Sequence, residues 1–200
     1  MNKIDLIGEW QLYLSKSGSV KIPAKYDDSI VLPDTTSHAG KGKLNKERAS
    51  GYLTDPHKFE GCAWFRKTVT IPASAAGKDI FLRLERTRMT TLFVDGKKTG
   101  SNNSLCTSHI YRLPELKSGE HTFDICVKNI DYPTKGGHMT SPDTQTNWNG
   151  ITGAVELLVR PKTRIDDIKI LSETGKEKIV FSCIASDNCE AYVTVEDDKT

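Results

Sequence analysis

The sequence of 200 residues predicts an all-β fold, an antiparallel sandwich of the jelly-roll type. Three observations carry that reading. Short runs alternate apolar and polar residues, as half-buried strands require; turn residues interrupt these runs at short intervals; and no segment sustains helical periodicity.

Taken in order, residues 9–14 are the first candidate strand, and residues 30–32 lead into a turn at Pro33, Asp34 and Thr35. Residues 37–56 carry glycines and lysines but few apolar side chains, so they read as a long surface excursion. The clearest strand is 61–72. It puts Ala63, Phe65, Val69 and Ile71 on one face and Trp64, Arg66, Thr68 and Thr70 on the other, with Trp64 read as sandwich packing. Residues 80–84 alternate likewise, and 91–94 close on Asp95-Gly96, a hairpin signal. Residues 109–113 follow, then a connection from Pro114 to Gly119, then 122–128 with Phe123, Ile125 and Val127 inward. Residues 154–159 complete the set with Val155, Leu157 and Val159 on one side. Arg160-Pro161 reads as a boundary, giving a first domain at 1–161 and a second region at 162–200. That second region holds three further strand candidates, at 165–171, 178–185 and 191–195.

A formal charge of +2 and 36% hydrophobic content describe a soluble globular chain and point to neither nucleic acid nor a membrane as partner. No apolar run approaches the roughly 20 residues a membrane-spanning helix needs. The opening MNKIDLIGEWQLYL has no apolar signal core and no small-residue cleavage site, so either no leader exists or one has been removed. The five cysteines contain no C-x-x-C pair, which argues against zinc and thioredoxin-like readings. Cys62 and Cys126, inside strand-like runs, read as buried free thiols, while a Cys183–Cys189 disulfide stays open. Lys41, Lys43, Lys46 and Arg48 belong to a solvated loop. The GKGK within it lacks the spacing and the Ser/Thr of a phosphate-binding loop. Asp166-Asp167 and Asp197-Asp198 point to opposite faces of strands and form no catalytic pair. No metal or cofactor is implied.

The stretch with most chemistry is 144–159, TQTNWNGITGAVELLV, in which an aromatic ring flanked by amides runs into an anchoring strand. Sugars are bound by such groups: a flat apolar face for the ring, amides for the hydroxyls. Asn147 and Asn149 read either as sugar contacts or as turn chemistry ahead of a strand. Trp148 either stacks on a sugar or packs the loop down. His138, in a Gly-Gly-His loop, is a substrate contact or an exposed structural residue, and Asp143 after Pro142 is a further contact or a turn cap.

GCAWFRKTVTIP (61–72), VDGKKTG (94–100), LPELKSGEHTFDICVKN (113–129) and TQTNWNGITGAVEL (144–157) occur in one order. That order resembles the N-terminal sugar-binding domain of glycoside hydrolase family 2, the family of β-galactosidases, β-glucuronidases and β-mannosidases. LPDTTSHAGKGKLN (32–45) is similar to the β-galactosidase branch of gut Bacteroidetes. The resemblance, over about residues 8–160, implies a galactose-binding-domain-like jelly roll. It also implies that 162–200 is the N-terminal part of a truncated immunoglobulin-like domain, with a catalytic barrel beyond. The parent is then a retaining β-glycosidase, most simply a β-galactosidase, whose two glutamates stand about 5 Å apart in the barrel. This chain itself would supply no catalytic residue. Its partners would be a β-galactoside or related oligosaccharide and the barrel, touched by the loop at 138–149. Asn147 falls where several relatives place an Asp, so an amide replaces a carboxylate and weakens the case for a cation there. A periplasmic or secreted location is expected. The rival readings are an autonomous carbohydrate-binding module and a protein-interaction sandwich.

Overall fold

The computed structural model describes residues 2–47, 54–134, 146–173, 175, 178–190 and 192–194. Among these the strands are β1 (Asn2–Asp5), β2 (Gly8–Ser15), β3 (Asp28–Leu32), β4 (Asp34–Thr35), β5 (Lys43–Leu44), β6 (His57–Lys58), β7 (Cys62–Ile71), β8 (Asp79–Leu84), β9 (Met89–Val94) and β10 (Lys97–Asn102). They continue as β11 (His109–Arg112), β12 (Gly119–Lys128), β13 (Gly150–Ile151), β14 (Val155–Arg160), β15 (Ile165–Glu173) and β16 (Lys178–Ala185). The only helical turn among the described residues is the short 3-10 segment Ala73–Ala75. The fold is the all-β sandwich that the sequence predicts.

The chain divides into two units, Met1–Val159 and Arg160–Thr200. The first is built from a six-stranded antiparallel sheet in the order β10-β9-β12-β7-β2-β3 and a four-stranded sheet in the order β1-β14-β8-β11. At its centre β7 and β12 pair along their full lengths, from Cys62 opposite Lys128 to Ile71 opposite Gly119. The inward side chains of both sheets form one core, with Leu12, Phe65, Leu82, Leu84, Leu92, Phe123, Ile125 and Leu157 all fully buried. The Asp95-Gly96 signal produces a two-residue turn between β9 and β10, and both residues have positive φ (50° and 75°), as the primed hairpin turns demand. The polar segment NKID gave no strand signal. It forms β1 because it borders the sheet and needs to bury little, pairing Ile4 with Leu157.

Two inward positions depart from simple alternation. Lys67 lies between Phe65 and Val69 on the inner face of β7, yet it is not a buried unpaired charge. Its Nζ donates to the carbonyls of Leu6, Ile7 and Glu9, each at 3.2 Å, and sits over the Trp10 ring. Trp10 in turn donates from Nε1 to the Leu6 carbonyl at 2.9 Å, so the tight turn before β2 is held from both sides. Trp64 is 1% exposed, but it lies on the outer face of the six-stranded sheet and not in the sandwich interior. There it packs with Cys62, Cys126, Tyr13 and Phe93 under a strap, residues 16–27, which connects β2 to β3 and lays Ile22 and Tyr26 over them. Cys62 and Cys126 are buried free thiols, and Cys183 and Cys189 are also unbridged.

The strap also covers a charge. Asp124, 1% exposed, is bound by Arg66 Nε at 2.6 Å and by the Tyr26 hydroxyl, and the Arg66 guanidinium lies 4.4 Å from the centre of the Tyr26 ring. Burial and the neighbouring carboxylate push the Tyr26 hydroxyl far above its ordinary pKa, so it remains a donor. On β11, His109 is fully buried. Its Nε2 faces the Ser104 carbonyl at 2.8 Å and must carry the proton, leaving Nδ1 to accept from Thr90 Oγ1 at 2.6 Å.

In the second unit β15 and β16 form an antiparallel hairpin. It leaves Ile168, Ile170, Leu171, Ile179 and Ile184 exposed. The third strand expected at 191–195 does not form over 192–194; Ala191 and Val195 lie outside the described residues.

Two outcomes are expected. Asp124→Ala strands Arg66 beneath the strap and lowers unfolding stability by about 3 kcal/mol, the lower end for a broken buried pair because Arg66 retains some access to water; urea unfolding measures it. Burial holds His109 below the usual histidine range. Above about pH 6.5 folded and unfolded chains are both neutral at this ring, whereas below it the unfolded chain takes a proton that the folded one refuses. Stability therefore falls as pH drops from 7 towards 5, and the fall should be shallower in His109→Gln than in the unaltered chain. His121, held above its ordinary value by Asp95, works in the opposite direction in both proteins and cancels in the difference.

Candidate functional site

The candidate loop, residues 146–149, stands at one end of the sandwich, and the chain on its C-terminal side fixes it there. β13 pairs with β4, Gly150 opposite Thr35 and Ile151 opposite Asp34. Gly150 has φ 135°, and a Cβ at this position would lie 2.3 Å from the Asp34 carbonyl oxygen, so only glycine allows the two strands to meet. The Asn-Gly pair is thus a close-approach device rather than a simple turn. Thr36 N and Thr87 Oγ1 add bonds to the carbonyls of Asn149 (2.8 Å) and Gly150 (2.9 Å).

Asn147 is locked by its own chain. Its Oδ1 accepts from the Tyr132 hydroxyl at 3.0 Å, and its Nδ2 donates to the Asn129 carbonyl at 2.9 Å and to Glu60 Oε1 at 3.4 Å. Asn129 returns a bond from Nδ2 to the Asn147 carbonyl at 2.8 Å. Asn129 itself sits where β12 ends, bonded to Gly61 N (2.9 Å) and the Phe59 carbonyl (2.8 Å). A side-chain amide can make four hydrogen bonds, and these contacts leave one lone pair on Asn147 Oδ1 for a ligand. Asn149 is 1% exposed and donates to the Val127 carbonyl at 3.0 Å, and its Oδ1 has no hydrogen-bond partner. It ties the loop to β12 and presents no surface.

Trp148 is half-buried, with the Arg88 guanidinium stacked 4.3 Å from its ring centre. Arg88 is 1% exposed. It donates from Nε to the Trp148 carbonyl (3.2 Å) and from Nη2 to the Thr146 carbonyl (3.1 Å), gripping the loop on both sides of Asn147. Burial lowers the Arg88 pKa, opposed by the charges of Tyr132 and Asp55. Burial likewise raises the Asp55 carboxyl, opposed by the hydroxyls of Thr146 and Ser37 and by Arg88. Burial also pushes the Tyr132 hydroxyl up to about 12.

Of the sequence-predicted residues, Asn147, Trp148 and Asn149 are brought together; His138 and Asp143 lie outside the described residues. Sequence reasoning missed Arg88, Asn129, Tyr132, Asp55 and Glu60. Arg88 follows Glu85 and Arg86 just ahead of β9, and no neighbouring residue signals that its charge is buried. Among the described residues no group of three or more His, Cys, Asp or Glu side chains is placed to hold a metal ion. The arrangement can orient a polar ligand; it does not assemble a nucleophile with an acid.

No protein-family model matches the chain. In sequence it is 23% identical over 195 residues to a β-glucuronidase of Streptococcus agalactiae, covering 88% of this chain and 31% of that protein. In structure it is similar to a β-glucuronidase of Faecalibacterium prausnitzii (TM-score 0.65, 16% identity), covering 93% of this chain and 36% of that one. It is also similar to a β-glucuronidase of an uncultured Clostridium (TM-score 0.68, 14% identity), with 93% and 34% covered. A further neighbour is a Ruminococcus gnavus β-glucuronidase in complex with uronic deoxynojirimycin (TM-score 0.68, 13% identity; 93% and 34% covered). The fold is therefore one shared with part of each of these β-glucuronidases. The particular relatives are β-glucuronidases, and the chain spans about a third of their length.

Arg88→Met keeps the stem but removes the grip. It should lower stability by about 2–4 kcal/mol, through two lost charge-assisted hydrogen bonds and a lost stack. Hydrogen exchange should speed up at the amides of 146–149 while those of β7 and β12 stay protected.

Proposed function

We propose that this chain is the non-catalytic N-terminal region of a retaining β-glycosidase of family 2, supporting a catalytic barrel and holding one loop against its sugar subsite. The observation that carries the reading is the extent of the likeness: it runs along nearly all of this chain but over only about a third of each β-glucuronidase. The way Arg88, Asn129 and Tyr132 lock the loop supports a role in which geometry matters more than reactivity. Trp148 and the free lone pair of Asn147 are the groups with which the loop would meet the sugar. The relatives' names favour a β-glucuronide over the β-galactoside expected from the sequence, so the glucuronide is the substrate class to test first.

An autonomous carbohydrate-binding module is the second reading, favoured only by the aromatic-amide composition of the loop. Aryl β-glucuronides and β-galactosides, offered to this chain and to the complete gene product, separate the two. Hydrolysis by the complete product alone supports the proposal, and the periplasmic and secreted fractions are where we expect it. Hydrolysis by the short chain, or by neither, sinks it. In the complete enzyme Asn147→Ala should reduce kcat/KM about tenfold, or about 1.4 kcal/mol, the size of one hydrogen bond; unchanged kinetics would remove Asn147 from the site.

A further inference from the structure

The strap leaves part of the outer sheet face open. Along its edge runs a groove of about 450 Å³, lined by Tyr13, Ser15, Ser19, Lys21 and Lys25 and by apolar side chains of the strap, with Trp64 as its floor. That volume is within the range of about 300–1,000 Å³ typical of small-ligand sites. Tyr13 stands directly opposite Trp64 in the β2–β7 register and packs against the cluster that holds it. Trp64 is buried, and Tyr13, half-exposed, is the accessible wall.

The charge of the groove is one-sided. Two lysines line it and no carboxylate does. Among the described residues neither Lys21 nor Lys25 has an ion-pair or hydrogen-bond partner, whereas Lys41, Lys58 and Lys128 all pair with acids. A site with an aromatic wall, three hydroxyl-bearing side chains and two uncompensated ammonium groups suits a ligand with an apolar ring face, hydroxyls and an anionic group. We propose that the groove binds a carboxylate-bearing oligosaccharide, the pyranose ring against Tyr13 and the carboxylates at Lys21 and Lys25. Phosphate polymers fit poorly, because two lysines on a chain of net charge +2 make no long basic track. The site rests on the strap and the outer sheet face, not on the loop at 146–149, so it stands or falls independently of the catalytic reading above.

The test is a nitrogen-15 NMR titration of the chain with an oligogalacturonate, with a neutral cello-oligosaccharide of the same length as control. The expected result is shifts at Tyr13, Ser15, Lys21 and Lys25 with the anionic chain and none with the neutral one. Binding should weaken about tenfold in the double variant Lys21→Gln/Lys25→Gln, and also at about 1 M ionic strength, where the Debye length shrinks to about 3 Å. Both lysines are exposed, so the variant keeps the fold. The proposal is overturned if the groove resonances do not move, if the neutral chain binds as tightly, if the double variant binds like the unaltered chain, or if the shifts map to 146–149 alone.

Discussion

The full-length pairing of β7 with β12 is the constraint from which most else in the first unit follows. An antiparallel pair can leave one face in water when that face is polar, so a cover on the second face is needed only where its side chains are apolar. The inner face is covered by the four-stranded sheet in the ordinary way. The outer face carries Cys62, Trp64 and Cys126, which are too apolar to leave in water, and the connection from β2 to β3 is long enough to close over them. The strap is therefore a second, smaller core, and Asp124, Arg66 and Tyr26 are its polar border.

The same pairing determines where the candidate loop sits. β12 ends at Lys128, and the next residue, Asn129, uses its side chain to close the last step of the ladder onto Gly61. Gly61 has φ 145°, and a Cβ there would meet the Ser15 carbonyl oxygen at 2.2 Å; β2 ends at Ser15, β7 begins at Cys62 and β12 ends at Lys128, so each has an end beside this glycine. The second end of the Asn129 amide is then free to reach Asn147. The register of the central strands is in this way transmitted, through the amides of Asn129 and Asn149, to the position of a loop nearly twenty residues further along the chain.

Much of this fold was legible in the sequence, because alternation and turn residues report directly on half-buried strands. The hairpin at Asp95-Gly96 and the inward faces of β7 and β12 follow from pattern alone. Pattern fails where a residue's surroundings come from elsewhere in the chain. Trp64 looked like sandwich packing because nothing in its own strand announces a strap; Lys67 broke the inward series because its carbonyl partners belong to another turn. β1 had no apolar signature since an edge strand gains its place by backbone pairing. At the site, the amides and the ring of 146–149 were visible, and the residues holding them were not. A buried arginine such as Arg88 has the same sequence appearance as a solvated one until the carbonyls and the ring that surround it are known.

That buried arginine also explains how so short a loop can be rigid. A rim segment with few apolar side chains cannot bury enough surface to hold itself by the hydrophobic effect, which in any case sets no direction. Directional contacts can do so: two guanidinium nitrogens fix two carbonyls, the stack fixes the plane of Trp148, and the Asn129–Asn147 exchange fixes the residue between them. The cost is the desolvation of a cation, and it is offset because the carbonyl dipoles, the ring face and the field of Asp55 all present negative potential to it. The arrangement thus exchanges stability for geometry, a poor choice in a core but a suitable one for a loop whose value lies in where it holds a ring and an amide.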